Sequence, residues 1–243
     1  MNLVSKNPLV LVPGIDGTGL LFYRQLPLLE RRYAVTTTRL RDDAARMGDL
    51  VEDLHAAVSA AAPDGQPVTL LGESFGGALT LSYAVAHPER VARLVILNSF
   101  AHYGSRARLL LGYHLLRAMP WRLMPMVRHV NASRMHSAQT SPEEIRRFLR
   151  VMRGTTRDGY LSRLRILRDY DIRGRLPEIT SPTLFLAADR DHLVPSVQQA
   201  RLMHSLTPGS AMRVLEGHGH SCLVAPDLDL GSILEEWTAR EDR

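Results

Sequence analysis

Cys222 is the only cysteine among the 243 residues, so an intramolecular disulfide framework is excluded and the single thiol fits a reducing compartment. Long hydrophobic runs are also missing. Near the start, Lys6 is followed by an apolar run of only Leu9 to Val12 before Pro13, too short for a signal-peptide core or a membrane span. A cytoplasmic protein with no stable membrane insertion is therefore expected. Acidic residues are scarce from Ala101 to Leu176, where five face 16 arginines, so the excess behind the net charge of +5 is concentrated there and the remainder is net acidic. No pattern of exposed aromatics interleaves with those arginines and no recognition motif accompanies them, which argues against nucleic acid as a partner. An outward, solvated basic face, or an amphipathic surface toward anionic lipid or an anionic substrate, fits better. Internal repeats and low-complexity linkers are absent. What remains is a chain with 45% hydrophobic residues, long enough for one large core and better suited to one α/β domain with an insertion than to two domains.

Strand and helix signals alternate along most of the chain. Pro8–Val12 reads as a short buried strand ending at Pro13-Gly14, and a helix is predicted from about Leu20 to Glu30. Tyr33–Thr38 is β-branched, and Leu50, Val51, Leu54, Ala57, Val58 and Ala61 recur at helical spacing until Pro63-Asp64-Gly65 stops them. Pro67–Leu71, Arg93–Asn98, Thr183–Ala187 and Ala211–Leu215 complete the strands, with helices at 78–85, 196–204 and 230–239. This rhythm predicts a parallel sheet with helices on both faces. It breaks between Ala101 and Leu176, where only helical pieces are signalled, the clearest opened by a capping box from Ser141 to Glu144 with Pro142 at the first helical position. The expected division is a catalytic domain of residues 1–100 and 177–243 with a helical cap, 101–176, inserted between.

The organising stretch is Gly72-Glu73-Ser74-Phe75-Gly76-Gly77. Gly-x-Ser-x-Gly between a short apolar strand and an apolar helix is the context of a nucleophile elbow, in which a serine sits on a tight strand-to-helix turn. A glycine on either side avoids a Cβ that would collide with the turn, and Gly77 lets the helix approach the sheet. A serine hydroxyl needs a base to take its proton and an acid to orient that base, so a carboxylate and a histidine are required downstream. Two later loops supply candidates: Asp189 and Asp191 after the strand ending at Ala187, and His218 and His220 after the strand ending at Leu215. The backbone N–H of Phe75, at the start of the elbow helix, is positioned to meet a developing oxyanion. His-x-His with Cys222 crowds three ligand types onto one short loop, a poor tetrahedral cage, so no metal is expected. Gly14 to Gly19 lacks both the dinucleotide spacing and a Walker lysine, so no cofactor is expected either.

With these motifs the chain resembles the α/β-hydrolase superfamily over nearly all its length apart from the insertion. That resemblance implies an α/β-hydrolase fold with a catalytic Ser74, and its Asp-x-x-Val-Pro pattern selects Asp191 over Asp189. Both histidines fit the family's Gly-His before Pro226, and His220 is favoured because it lies farther from the strand end and reaches back over the elbow more readily. By family position Ile15, after Pro13-Gly14, supplies the second oxyanion N–H. Asp16 beside it suits either a structural turn or a bond to the elbow loop or substrate. Pro-Gly-Ile-Asp-Gly-Thr-Gly together with Leu-Gly-Glu-Ser-Phe-Gly-Gly is similar to a bacterial esterase-like branch, and also to plant acyltransferases that make phytyl esters. The implied activity is serine hydrolysis of small-molecule carboxylic esters or thioesters through an acyl-enzyme. Acyl transfer by the same residues, or a non-enzymatic receptor on the same fold, are the alternatives. Epoxide hydrolase and haloalkane dehalogenase are disfavoured because those relatives carry a carboxylate where this chain has Ser74. Relatives often begin with two antiparallel strands, but only seven residues precede Pro8, so about six parallel strands are expected. The apolar residues between Leu109 and Val127 exceed what a helix pair can bury on itself, and some are expected to roof the space over Ser74 and accept an apolar acyl chain.

Overall fold

A computed structural model describes residues 6–241. Its core is one six-stranded sheet: β1 (Asn7–Val12), β2 (Tyr33–Thr37), β3 (Val68–Glu73), β4 (Val91–Leu97), β5 (Thr183–Ala188) and β6 (Ala211–Leu215), in the order β2-β1-β3-β4-β5-β6. Every pairing is parallel. The antiparallel edge that was not expected is not present among the described residues. Because helices cover both faces, β3 and β5 are buried at every position, whereas the edge strands β2 and β6 are partly exposed.

Alternate side chains feed two separate cores. Val10, Leu70, Leu94, Ile96, Phe185 and Ala187 point to the face covered by α2 (Met47–Ala61), α3 (Phe75–Ala86) and α8 (Ser196–Leu206). Leu9, Leu11, Leu71, Val95, Leu97, Leu184 and Leu186 point to the opposite face, against α1 (Leu26–Leu29) and α9 (Leu230–Glu241). Strand order reverses between β1 and β3, which opens a crevice at the carboxyl ends of these two neighbours. The Pro13-Gly14 turn leaves one and Ser74 leaves the other.

Two local expectations fail. The helix predicted from Leu20 to Glu30 is instead a 3-10 segment, Leu20–Arg24, followed by the single turn of α1. Pro27 has no N–H to continue a helix. The side chain of Gln25 is drawn away to the carbonyls of Leu223 and Leu228, each at 3.0 Å, and accepts from the Leu230 N–H at 3.1 Å. The capping box is half made: Ser141 Oγ accepts from the Glu144 N–H at 3.2 Å, but the Glu144 carboxylate accepts from the Tyr23 hydroxyl at 2.7 Å.

Between β4 and β5 the named elements are helical: α4 (Arg106–Ala118), a 3-10 turn at Trp121–Leu123, α5 (Met124–Met135), α6 (Pro142–Val151), and α7 (Arg157–Arg168). The two ends of this excursion are stitched together by an antiparallel bridge between His102 and Asp171 and by the Ile172 N–H donating to Ala101 O at 2.9 Å. Among the described residues no helix is long and apolar enough to cross a membrane.

Candidate active site

Ser74 follows the last residue of β3 and precedes the first of α3, with φ 53° and ψ −118°. Only Ser74 and Asn98 among the described non-glycine residues have positive φ. A serine held there is strained and persists only because its surroundings fix it. The Ser74 N–H donates to Leu97 O at 2.8 Å, and Ser74 O accepts from Ser99 Oγ at 2.6 Å. The flanking glycines are required by close approach: a Cβ on Gly72 would lie 2.4 Å from Gly76 O, and one on Gly76 2.3 Å from Val12 O.

The loops after β5 and β6 converge on this turn. His220 Nε2 lies 3.0 Å from Ser74 Oγ, and His220 Nδ1 lies 2.6 Å from Asp191 Oδ2. Asp191 is held in turn by the N–H groups of Leu193 and Val194, both at 2.9 Å from Oδ1, and by the hydroxyl of Ser196 on Oδ2. The neighbouring candidates go elsewhere. His218 Nδ1 pairs with Ser137 Oγ at 2.9 Å, and Asp189 is exposed with its N–H donating to Leu215 O. Cys222 is buried, and its Sγ accepts from the Asn98 amide at 3.3 Å.

Burial would push the His220 imidazole toward the neutral form, but the Asp191 charge and hydrogen bond, aided by Glu73, hold its pKa above the ordinary 6.5. Burial alone would raise Asp191; its bonds to His220, Ser196 and the Val194 N–H overcome this and keep it below the ordinary carboxylate value. Glu73, the residue before the serine, is buried with Oε1 only 3.7 Å from His220 Nε2. Desolvation lifts its carboxyl to about 7, and Asp16 and Asp191 add to the rise. Asp16 is itself raised by burial, although Thr18 donates to it through both N–H and hydroxyl at 2.9 and 2.5 Å.

The Gly14–Gly17 turn closes with the Gly17 N–H on Gly14 O at 3.0 Å. It presses against the elbow so closely that a Cβ on Gly14 would lie 2.3 Å from Glu73 Oε2 and 3.3 Å from Ser74 Cβ. Ile15 and Phe75 therefore stand on the two walls of the crevice that holds Ser74. A cavity of about 350 Å³ lies between the helical segment and the Asp191 loop, lined by Leu116, Met124, Val127, Met135, Phe148 and Met152, by the polar side chains of Arg128, Asn131, Arg134 and Tyr160 and, from the residues just after Asp191, by His192 and Leu193. Leu111, Leu115 and Met126, expected among the roofing candidates, are exposed instead.

Sequence reasoning passed over Asn98. Its side chain donates to His220 O at 2.9 Å and accepts from the Ala188 N–H at 2.8 Å, joining the histidine and acid loops. The available signal was an asparagine directly after a buried strand, a residue that tolerates positive φ.

A family model described as serine aminopeptidase, S33, matches residues 36–227. The chain belongs to that family of α/β hydrolases. Two curated relatives, from Cronobacter turicensis and Serratia proteamaculans, bear the name "Putative carbamate hydrolase RutD"; both are 28% identical, covering 93% and 94% of this chain and 88% and 90% of their own. Among solved structures, a hydrolase from Pseudomonas aeruginosa superposes with a TM-score of 0.78 at 24% identity, over 98% of this chain and 88% of its own. An esterase from Exiguobacterium antarcticum reaches 0.83 at 20% identity, over 97% and 92%. These likenesses establish the α/β-hydrolase fold and a hydrolase family.

Proposed function

We propose that this family member is a serine hydrolase that cleaves carboxylic esters or thioesters of apolar acyl groups through an acyl-enzyme on Ser74. The observation that carries the reading is the chain of contacts Asp191–His220–Ser74 on an elbow serine of positive φ. Asp191 holds the Nδ1–H of His220, which leaves Nε2 free to accept the Ser74 proton as Oγ attacks the carbonyl carbon. Negative charge then gathers on the former carbonyl oxygen, where the N–H groups of Ile15 and Phe75 stabilise it. His220 passes its proton to the leaving alcohol or thiol, and the acyl group remains on Ser74. Water, deprotonated by the same imidazole, attacks next; the acid departs and Ser74 regains its proton. The residues between β4 and β5 act as the cap in this scheme, and the apolar side chains that make up most of the lining of their cavity beside the acid loop favour an apolar acyl group. A carbamate is the second reading, favoured by the name its relatives carry; the same attack applies to its carbonyl.

A fluorophosphonate probe tests the nucleophile. Ser74 should be the labelled residue, and Ser74→Ala should abolish both labelling and hydrolysis of p-nitrophenyl esters. Labelling at Ser99 or Ser221 instead would overturn the assignment, and turnover of aryl carbamates but not of esters would favour the second reading.

A further inference from the structure

Most arginines between β4 and β5 are exposed, but Arg163 is 1% exposed and heads the fully buried side chains by volume. It leaves α7 and crosses to the loops that follow β1 and β2. Nη1 donates to Ile15 O at 3.2 Å, while Nη2 lies 3.0 and 3.2 Å from the carbonyls of Leu40 and Arg41 and 3.0 Å from Asp42 Oδ1. Two glycines on different elements make room for the guanidinium. A Cβ on Gly17, where φ is +69°, would lie 2.2 Å from Nη2, and one on Gly159 would lie 2.7 Å from Nη1. Burying a guanidinium is costly, and for stability alone a well-packed apolar side chain of similar volume serves as well. What only the guanidinium does here is hold the carbonyls of two loops at once, through donors in a fixed planar fork.

We propose that Arg163 is a positioning residue for the turn carrying the Ile15 N–H, through which the helical segment is coupled to the oxyanion site. The proposal rests on the reading of Ile15 as an oxyanion donor. Arg163 fixes the peptide on the carbonyl side of Ile15, and the Gly17 N–H bond to Gly14 O fixes the other side of the turn. The Leu40 N–H donates back to Gly17 O at 2.9 Å, so one network ties the turn, the loop after β2 and α7 together. Asp16 and Thr18 support the turn from within. Losing Arg163 should therefore loosen the donor without abolishing it. An oxyanion donor acts on the transition state and hardly on bound substrate, so the effect belongs in kcat.

The test compares wild type with Arg163→Lys and Arg163→Met on a p-nitrophenyl ester, below each variant's melting temperature. In Arg163→Met, kcat should fall about 10- to 100-fold, less than the 10²–10³ lost with a whole donor, with KM changed by no more than about threefold. The pH midpoint of kcat/KM should stay at the wild-type value, because Asp191 and His220 are untouched. Arg163→Lys keeps the charge but not the fork, so it should recover folding stability and little of kcat. Hydrogen exchange gives a readout independent of turnover: the Gly17 and Leu40 amides should exchange at least about 10-fold faster in Arg163→Lys. Unchanged exchange at these amides, or an unchanged kcat in a folded variant, overturns the proposal. If wild type neither turns over nor labels at Ser74, the hydrolase reading fails, and exchange alone then decides whether Arg163 holds the turn. Should Arg163→Met not fold, Arg163→Lys carries both measurements.

Discussion

The amide of Asn98 lies 2.9 Å from the carbonyl of His220. With its Oδ1 taking the Ala188 N–H, this one side chain ties the loop that carries Asp191 to the loop that carries His220. Its backbone has φ 48°, a conformation asparagine accepts more readily than alanine. Asn98→Ala should strand a buried carbonyl and a buried N–H, costing about 2–4 kcal/mol. Thermal melting should register this as a loss of roughly 5–15 °C. Activity should fall further than the folded fraction does, since the two loops would no longer be held in register, and a folded variant with wild-type kcat would remove Asn98 from that role.

The two histidines of the loop after β6 separate cleanly by variant. His220→Ala should lower kcat by roughly 10⁴-fold or more, because serine and base act as a unit. His218→Ala loses the contact with Ser137 and should cost less than about 10-fold. Steady-state kinetics on one activated ester ranks them, and the reverse ranking would transfer the base to His218.

In the proposed mechanism His220 must be neutral to take the serine proton. Since its pKa lies above 6.5, kcat/KM should rise with pH through a midpoint above that value. Glu73 contributes to that elevation, so Glu73→Gln should move the midpoint to lower pH, and a shift upward would contradict the assignment of charges.

Glu73 also predicts a stability trend. Its carboxyl titrates at about 7 when folded and at the ordinary 4.5 when unfolded. Between these values the unfolded chain releases a proton that the folded protein keeps. Stability therefore falls as pH rises through this window and levels off above it, by about 3 kcal/mol in total. Denaturant melts of Glu73→Gln should lose that slope; an identical slope in both proteins would show that the carboxyl does not titrate there.

The cavity lined by Leu116, Met124 and Val127 predicts the dependence on acyl length. Activity should rise from acetyl to medium-chain p-nitrophenyl esters, by up to about 0.8 kcal/mol for each buried methylene. If acetyl esters are best and longer chains are rejected, the helical segment closes the site instead of lining it.

Features governed by neighbours in the chain could be read without coordinates. Strand positions followed from short β-branched runs, the parallel sheet from their alternation with helices, and the elbow from glycines whose spacing reports a local steric need. The expectation of about six strands came instead from comparison with family relatives. Partner choice among chemically equivalent groups was settled only in three dimensions. His218 and His220 sit in near-identical local sequence, and what separates them is that one meets Ser137 and the other Ser74, from segments 81 and 146 residues away. Glu144 had a local partner in its own capping box, yet a tertiary one, Tyr23, took its carboxylate. Arg163 looked like one more member of a solvated basic face, because a count of charge says nothing about which member a fold encloses. Packing against Gly17 and Gly159 and bonds to the Ile15 and Leu40 carbonyls distinguish it, since burial is a property of surroundings brought together from distant parts of the chain.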